Sequence, residues 1–184
     1  MVTASRARAA MALTLLALVP LALARAGDVE DRRVEFGTRI FRALMAADVD
    51  LPKKTVGNQL LVVFFYRDDA VRAREMAKGF SGSDVRGIAV TADVANDPLK
   101  LAARQPAAIF LSERPRKETL QALVHYGIDH RVIVYSPFEG DVESGILGGL
   151  SIEAQVRPFV NQSTLDASKI TLKSIFMQVA KVYR

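Results

Sequence analysis

The chain has no cysteine. Disulfide staples, thiolate nucleophiles and thiol redox switches are therefore excluded, as is a lipid anchor on an N-terminal cysteine. It has only two histidines, His125 and His130. Five residues apart, they do not share one helical face as paired metal ligands would, and surface positions are expected for both. Ser151 lies in Gly149-Leu150-Ser151-Ile152-Glu153, which lacks the closing glycine of a nucleophile elbow and has neither histidine nearby in sequence. Gly145-x-x-Gly148-Gly149 falls after four expected strands, whereas a dinucleotide fingerprint needs its glycines after the first. The chain thus carries no catalytic constellation, and the expectation is a non-enzyme with no cofactor and no metal.

Basic blocks are missing as well. No run of five or six lysines and arginines occurs, so nucleic acid is a poor partner. Much of the basic character belongs to the first 26 residues, where Arg6 and Arg8 precede an apolar run from Ala9 to Leu23, closed by Ala24-Arg25-Ala26. That pattern is a secretory signal cleaved after Ala26; the run is shorter than the roughly 20 residues that span a bilayer. Removing it takes away three arginines and no acid, so the net charge falls from +5 to +2. Residues 27–184 then suit one exported domain, not inserted in the membrane and able to bury roughly 70 % of its unfolded surface. Internal repeats, low-complexity segments and a second-domain linker are also absent.

What is present alternates between two periods. After a charged lead-in from Asp28 to Arg33, Phe36, Ile40, Phe41, Leu44 and Met45 recur at helical spacing. Gln59 to Tyr66 is an unbroken apolar strand, expected at the sheet centre, and an aspartate of Asp68-Asp69 can cap the helix that follows. Further strands are expected at Gly87–Thr91, Ala107–Leu111 and Arg131–Tyr135, with a weak helix over Pro98–Arg104 and a stronger one over Arg116–Tyr126 stopped by Gly127. Strands alternating with helices argue for βαβ units. The fold class is α/β: one three-layer domain, its mostly parallel sheet flanked by helices, with a C-terminal antiparallel hairpin and a closing helix. Arg67, Arg114 and Arg116 follow expected strand ends, the edge where open α/β sheets bind ligands; solvated loop charges are the plain alternative.

The hairpin is expected from Gly145 to Asn161. Its glycines pack nothing and imply a bulge or the close approach of another backbone or a ligand, and Pro158 confines the returning strand to an edge. Ser163 can cap a short turn around Leu165, and a last helix carries Leu172, Ile175, Phe176, Val179 and Tyr183 as an apolar stripe. The apolar residues of the hairpin exceed what one face can bury, so partner contacts are expected at Gly148, Gly149, Leu150, Arg157, Phe159 and Asn161, with Phe159 as anchor. Complete coverage by the last helix is the competing expectation.

Gly148-Gly149-Leu150, Val156-Arg157-Pro158-Phe159-Val160-Asn161, Ile170-x-Leu172-Lys173-Ser174 and Val179-Ala180-Lys181 together resemble the C-terminal signature of the YfiR family of bacterial periplasmic proteins. The resemblance implies a compact α/β domain without enzymatic activity, often a homodimer, repressing a membrane-bound diguanylate cyclase by binding its periplasmic segment. The chain departs from that family in lacking cysteines and in reading Arg-Pro-Phe where a Phe-Glu-Ile-like strand is common. Two roles are thus expected: a protein-binding regulator of a membrane signalling protein, or a small-ligand-binding sensor or carrier.

Overall fold

A computed structural model describes the backbone of residues 19–184 and side-chain surroundings from Glu30 onward. The expected signal, residues 1–26, lies largely outside the described residues. The first described helix, α1 (Val19–Ala47), runs on without a break past Ala26 and through the charged stretch expected as a frayed lead-in. Its sheet-facing side is set by Val34, Gly37, Phe41, Leu44 and Met45, while Phe36 is exposed. Gly37 explains the phase: a Cβ there would stand 3.1 Å from Pro137 Cβ, so the missing side chain lets the helix close on the sheet.

A 3-10 turn (Leu51–Lys54) leads to β1 (Gln59–Phe65), followed by α2 (Ala70–Phe80), β2 (Asp84–Val85), β3 (Ile88–Ala95) and a second 3-10 turn (Pro98–Lys100). Then come β4 (Ala108–Leu111), α3 (Lys117–His130), β5 (Ile133–Ser136), β6 (Gly148–Ile152), β7 (Val156–Asn161), α4 (Gln162–Ser168), α5 (Ser174–Val179) and β8 (Lys181–Tyr183). The eight strands form one sheet in the order β2-β3-β1-β4-β5-β6-β7-β8. From β3 through β6 neighbours are parallel, and the β6–β7 hairpin is antiparallel. This is the α/β architecture read from the sequence, with β1 inside the sheet as its unbroken apolarity requires.

One face of the sheet holds an aromatic cluster. Phe41 of α1 packs against Phe80 of α2 at 5.7 Å and against Phe110 and Tyr135 of the sheet at 5.4 and 5.5 Å. Such pairs add about 0.5–1.5 kcal/mol each beyond area burial. The other face is covered by α3, where Leu120, Leu123 and Val124 are buried, and by α4 beside it.

Several expectations give way to long-range packing. Gly127 does not end α3; it lies inside the helix, where a Cβ would meet Val134 Cγ2 at 2.8 Å and Val132 O at 2.9 Å. Helix and strand cross so closely there that only glycine fits, and the stop is Arg131 in the left-handed region. Asn161, not Ser163, caps α4 by accepting from the Thr164 amide. The last helix ends at Val179, and the chain re-enters the sheet as β8, parallel to β7. Hence β7 is not an edge strand. Pro158 is nonetheless tolerated, because β8 pairs only with Phe159–Asn161 and never calls on the missing amide.

Candidate functional site

Strand order fixes where a site can form. From β1 the chain leaves through α2 toward β3 on one side, and from β4 it leaves through α3 toward β5 on the other. Neighbouring loops that diverge at the carboxyl ends of adjacent parallel strands leave a crevice between them. A cleft of about 220 Å³ opens there, lined by Phe65, Tyr66, Arg67, Asp68, Asn96, Pro115, Arg116 and Thr119.

Glu113 braces this edge. Its Oε2 accepts from the backbone amides of Arg67, Asp68 and Asp69 at 2.9, 2.8 and 2.7 Å, while Asp69 Oδ1 accepts from the Arg72 amide. Two carboxylates thus hold the approach to α2 and its first turn, the charge that a helix N-terminus favours. Nothing in sequence announces Glu113, because its partners lie more than forty positions away and become neighbours only when β4 pairs with β1.

The arginines at strand ends separate into different tasks. Arg67 bonds Asp68 Oδ2 at 2.6 Å and the Arg114 carbonyl at 3.1 Å. Arg114 turns the other way, donating to the Glu139 carbonyl at 3.0 Å, lying 3.5 Å from Asp141 Oδ1 and standing over the Phe138 ring. Arg116, at the N-terminus of α3, makes no ion pair among the described residues and faces the cleft. The cleft therefore offers one free guanidinium, the Arg67 guanidinium paired with the Asp68 carboxylate, the Asn96 amide, the Thr119 hydroxyl and two aromatic walls. This set suits a small polar ligand bearing an anionic group.

Beyond Arg114 the same edge holds a second hollow of about 180 Å³, bordered by Arg33, Phe138, Leu150, Glu153, Phe159 and Lys181 among others. Asp141 stands behind it, buried, accepting from Ser136 Oγ at 2.6 Å. Burial pushes its carboxyl above the usual carboxylate range, against the lowering effects of the Ser136 bond and Arg114.

The six residues expected to bind a partner fall into two groups. Gly148, Gly149, Leu150, Phe159 and Asn161 are buried, and only Arg157 is exposed, bonded to Glu153 at 3.3 Å. The close approach implied by the glycine pair is intramolecular: Leu44 of α1 fills the space of a Gly148 side chain, and Val142 and the Ser136 carbonyl fill that of Gly149. Asn161 donates from Nδ2 to the Val142 carbonyl at 2.7 Å, tying down the loop before β6. Phe159 is 6 % exposed, beneath Lys181 Nζ at 4.9 Å and edge-on to Tyr183. What the hairpin exposes is its tip, from Ile152 to Arg157.

Ser151 Oγ bonds Glu153 rather than an imidazole, while His125 Nδ1 contacts the Gln121 carbonyl and His130 lies against Tyr126. Among the described residues no group of three or more acidic or histidine side chains is placed to hold a metal ion, and no helix is long and apolar enough to cross a membrane.

No family model matches the chain, and no curated protein matches it in sequence. Solved structures do. One, the ABC domain in complex with L-Trp from Streptococcus pneumonia, is 13 % identical over 76 % of this chain and 62 % of its own, with a TM-score of 0.51. Another, a conserved domain protein from Vibrio cholerae, is 14 % identical over 74 % of this chain and 58 % of its own, also with a TM-score of 0.51. The chain thus spans about three-fifths of the length of these two structures. At such identities what is shared is the α/β fold.

Proposed function

We propose that this chain is an exported, non-catalytic domain that binds a small polar ligand at the carboxyl edge of its sheet. The observation that carries the reading is the cleft at the divergence of β1 and β4, where Arg116 has no ionic partner among the described residues. Open α/β sheets bind ligands at this position. The fold is shared with a domain solved with L-Trp, which supports amino acids and small carboxylates as the ligands to try first. Free amino acids and small organic acids added singly should include one that raises the melting temperature, since a ligand at 100 times its Kd stabilises by about 2.7 kcal/mol. Arg116→Glu should abolish that rise. A rise that survives both Arg116→Glu and Arg67→Glu would place binding elsewhere and defeat the reading. Export is checked by mass spectrometry of the mature N-terminus, expected at Gly27.

A second reading rests on the exposed hairpin tip. Ile152 and Val156 are exposed apolar side chains paired across that tip, and the resemblance to YfiR proteins suggests a membrane-bound signalling protein as the occupant, engaged through its periplasmic segment. Ile152→Asp combined with Val156→Asp should abolish co-purification with such a partner without lowering the melting temperature; retained co-purification would reject this reading.

A further inference from the structure

The amino ends of the parallel strands, opposite the edge described above, hold a cleft of different character. Residues leading into β1, β4 and β5 converge there around about 360 Å³. That is larger than either hollow on the carboxyl edge and within the usual size range of small-molecule sites, roughly 300–1,000 Å³.

Its lining has one sign of charge. Lys53, Lys54 and His130 border it, and no aspartate or glutamate does. Its two lysines are each paired with an acid outside the lining: Asp48 meets Lys54 Nζ at 2.6 Å and Asp50 meets Lys53 Nζ at 2.7 Å. An ammonium has three donors. Lys54 also gives one to the Arg131 carbonyl, whereas Lys53 spends one on Asp50 and retains the others. The Gln105 side-chain amide and the Tyr126 hydroxyl, both lining the cleft, add donors that bond no other described residue. Gln105 is held in the left-handed region, at φ 50°, a conformation that costs a non-glycine residue about 1 kcal/mol or more. Between these polar groups lie Val56, Pro106 and Val132, which with the Tyr126 ring form an apolar wall.

We infer that this cleft is a second binding site, selective for a small organic carboxylate carried on a flat apolar body, the anion directed to Lys53 and His130 and the body to Val56, Val132 and Tyr126. The inference does not depend on the carboxyl-edge site, with which it shares no residue.

Benzoate is the probe. Titrated into the full chain and followed by amide chemical shifts, it should give saturable changes centred on Lys53, Gln105, Tyr126 and Val132. Benzamide, which lacks the charge, and inorganic phosphate, which lacks the body, should each bind at least about tenfold more weakly. Lys53→Glu, at an exposed side chain, should weaken benzoate by about tenfold, or about 1.4 kcal/mol, with His130→Glu as the independent variant. The shifts at Lys53, Gln105 and Tyr126 should persist in Arg116→Glu. Shifts confined to Arg67 and Arg116, with none at Lys53, Gln105 and Tyr126, would overturn the inference, as would absence of saturation by about 10 mM. So would equal binding of benzamide or phosphate, or unaltered binding in both Lys53→Glu and His130→Glu.

Discussion

The Leu44 side chain of α1 occupies the space that a β-carbon on Gly148 would need. Helix and strand are thus in contact with nothing between them, and the glycine pair that begins β6 is a packing device. Gly148→Ala should lower stability by about 1–3 kcal/mol through overpacking. Urea denaturation of Gly148→Ala, Leu44→Ala and the double variant checks it. The double variant should be more stable than the sum of the single losses implies, whereas simple additivity would show that the two sites do not touch.

Asp48 and Lys54 form an ion pair that is almost out of solvent, with side-chain exposures of 1 % and 16 %. Asp48 Oδ2 has no well-angled hydrogen bond, so the 2.6 Å contact with the ammonium is what offsets its charge. Lys54→Met should therefore cost about 3–5 kcal/mol. Adding Asp48→Asn should restore much of the loss. A Lys54→Met protein of wild-type stability would mean that the carboxylate finds water.

Phe159→Ser separates a core role from an interface role. With the ring buried beneath Lys181 and Tyr183, the expected loss is about 3 kcal/mol or more in urea denaturation, with self-association unchanged by sedimentation. An unaltered midpoint together with weakened association would restore Phe159 as an interface anchor.

The Tyr135 hydroxyl is buried and has no hydrogen-bond partner, and burial drives its pKa far above the ordinary tyrosine value. Removing an unpaired polar group recovers its desolvation cost, about 1–3 kcal/mol. Tyr135→Phe should accordingly be neutral or stabilising in thermal unfolding; destabilisation beyond about 1 kcal/mol would indicate that the hydroxyl is satisfied in solution.

Asp141 carries the pH dependence at this end of the sheet. Its pKa is raised in the folded chain, chiefly by burial. The folded state therefore holds the proton more tightly than the unfolded state. That contribution is complete below the ordinary value of 3.8 and fades as pH rises through the folded pKa. Asp141→Asn, which keeps a partner for Ser136, should gain on the wild type as pH increases from 4 toward neutrality, with wild-type and variant stabilities compared by urea midpoints. A constant difference across that range would remove Asp141 as the titrating group.

The parts of the fold legible in sequence are those decided by near neighbours. The apolar run of β1 and the cap at Asp69 each carry their cause within a few residues, whereas the glycine pair is readable as a close approach but not as one to Leu44 of α1. The misread parts depend on contacts between distant segments. Gly127 has the composition of a helix stop, yet Val132 and Val134 return against it after the turn, and Val179 with Tyr183 has helical spacing, yet β7 presents an open edge that pulls the last residues into strand. Arg67 and Arg116 were readable as strand-end charges, but their meeting in one cleft, and the Glu113 brace, required the order in which β3, β1 and β4 lie side by side. The amino-edge cleft gave no sequence signal, because its three walls are about fifty and twenty-five positions apart in the chain.

Both margins of the sheet are very short: β2 has two residues and β8 has three. The segment with the strongest tendency to stack into fibrils, Leu60–Phe65, is roofed by β3 and β4 on its two sides. So long as the sheet is intact, another molecule meets the two stubs and the parts of β3 and β7 they leave uncovered, and not Leu60–Phe65. Resistance to aggregation in this domain is then a matter of how rarely β3 or β4 detaches, and it should track the rate of partial opening rather than the chemistry of the surface.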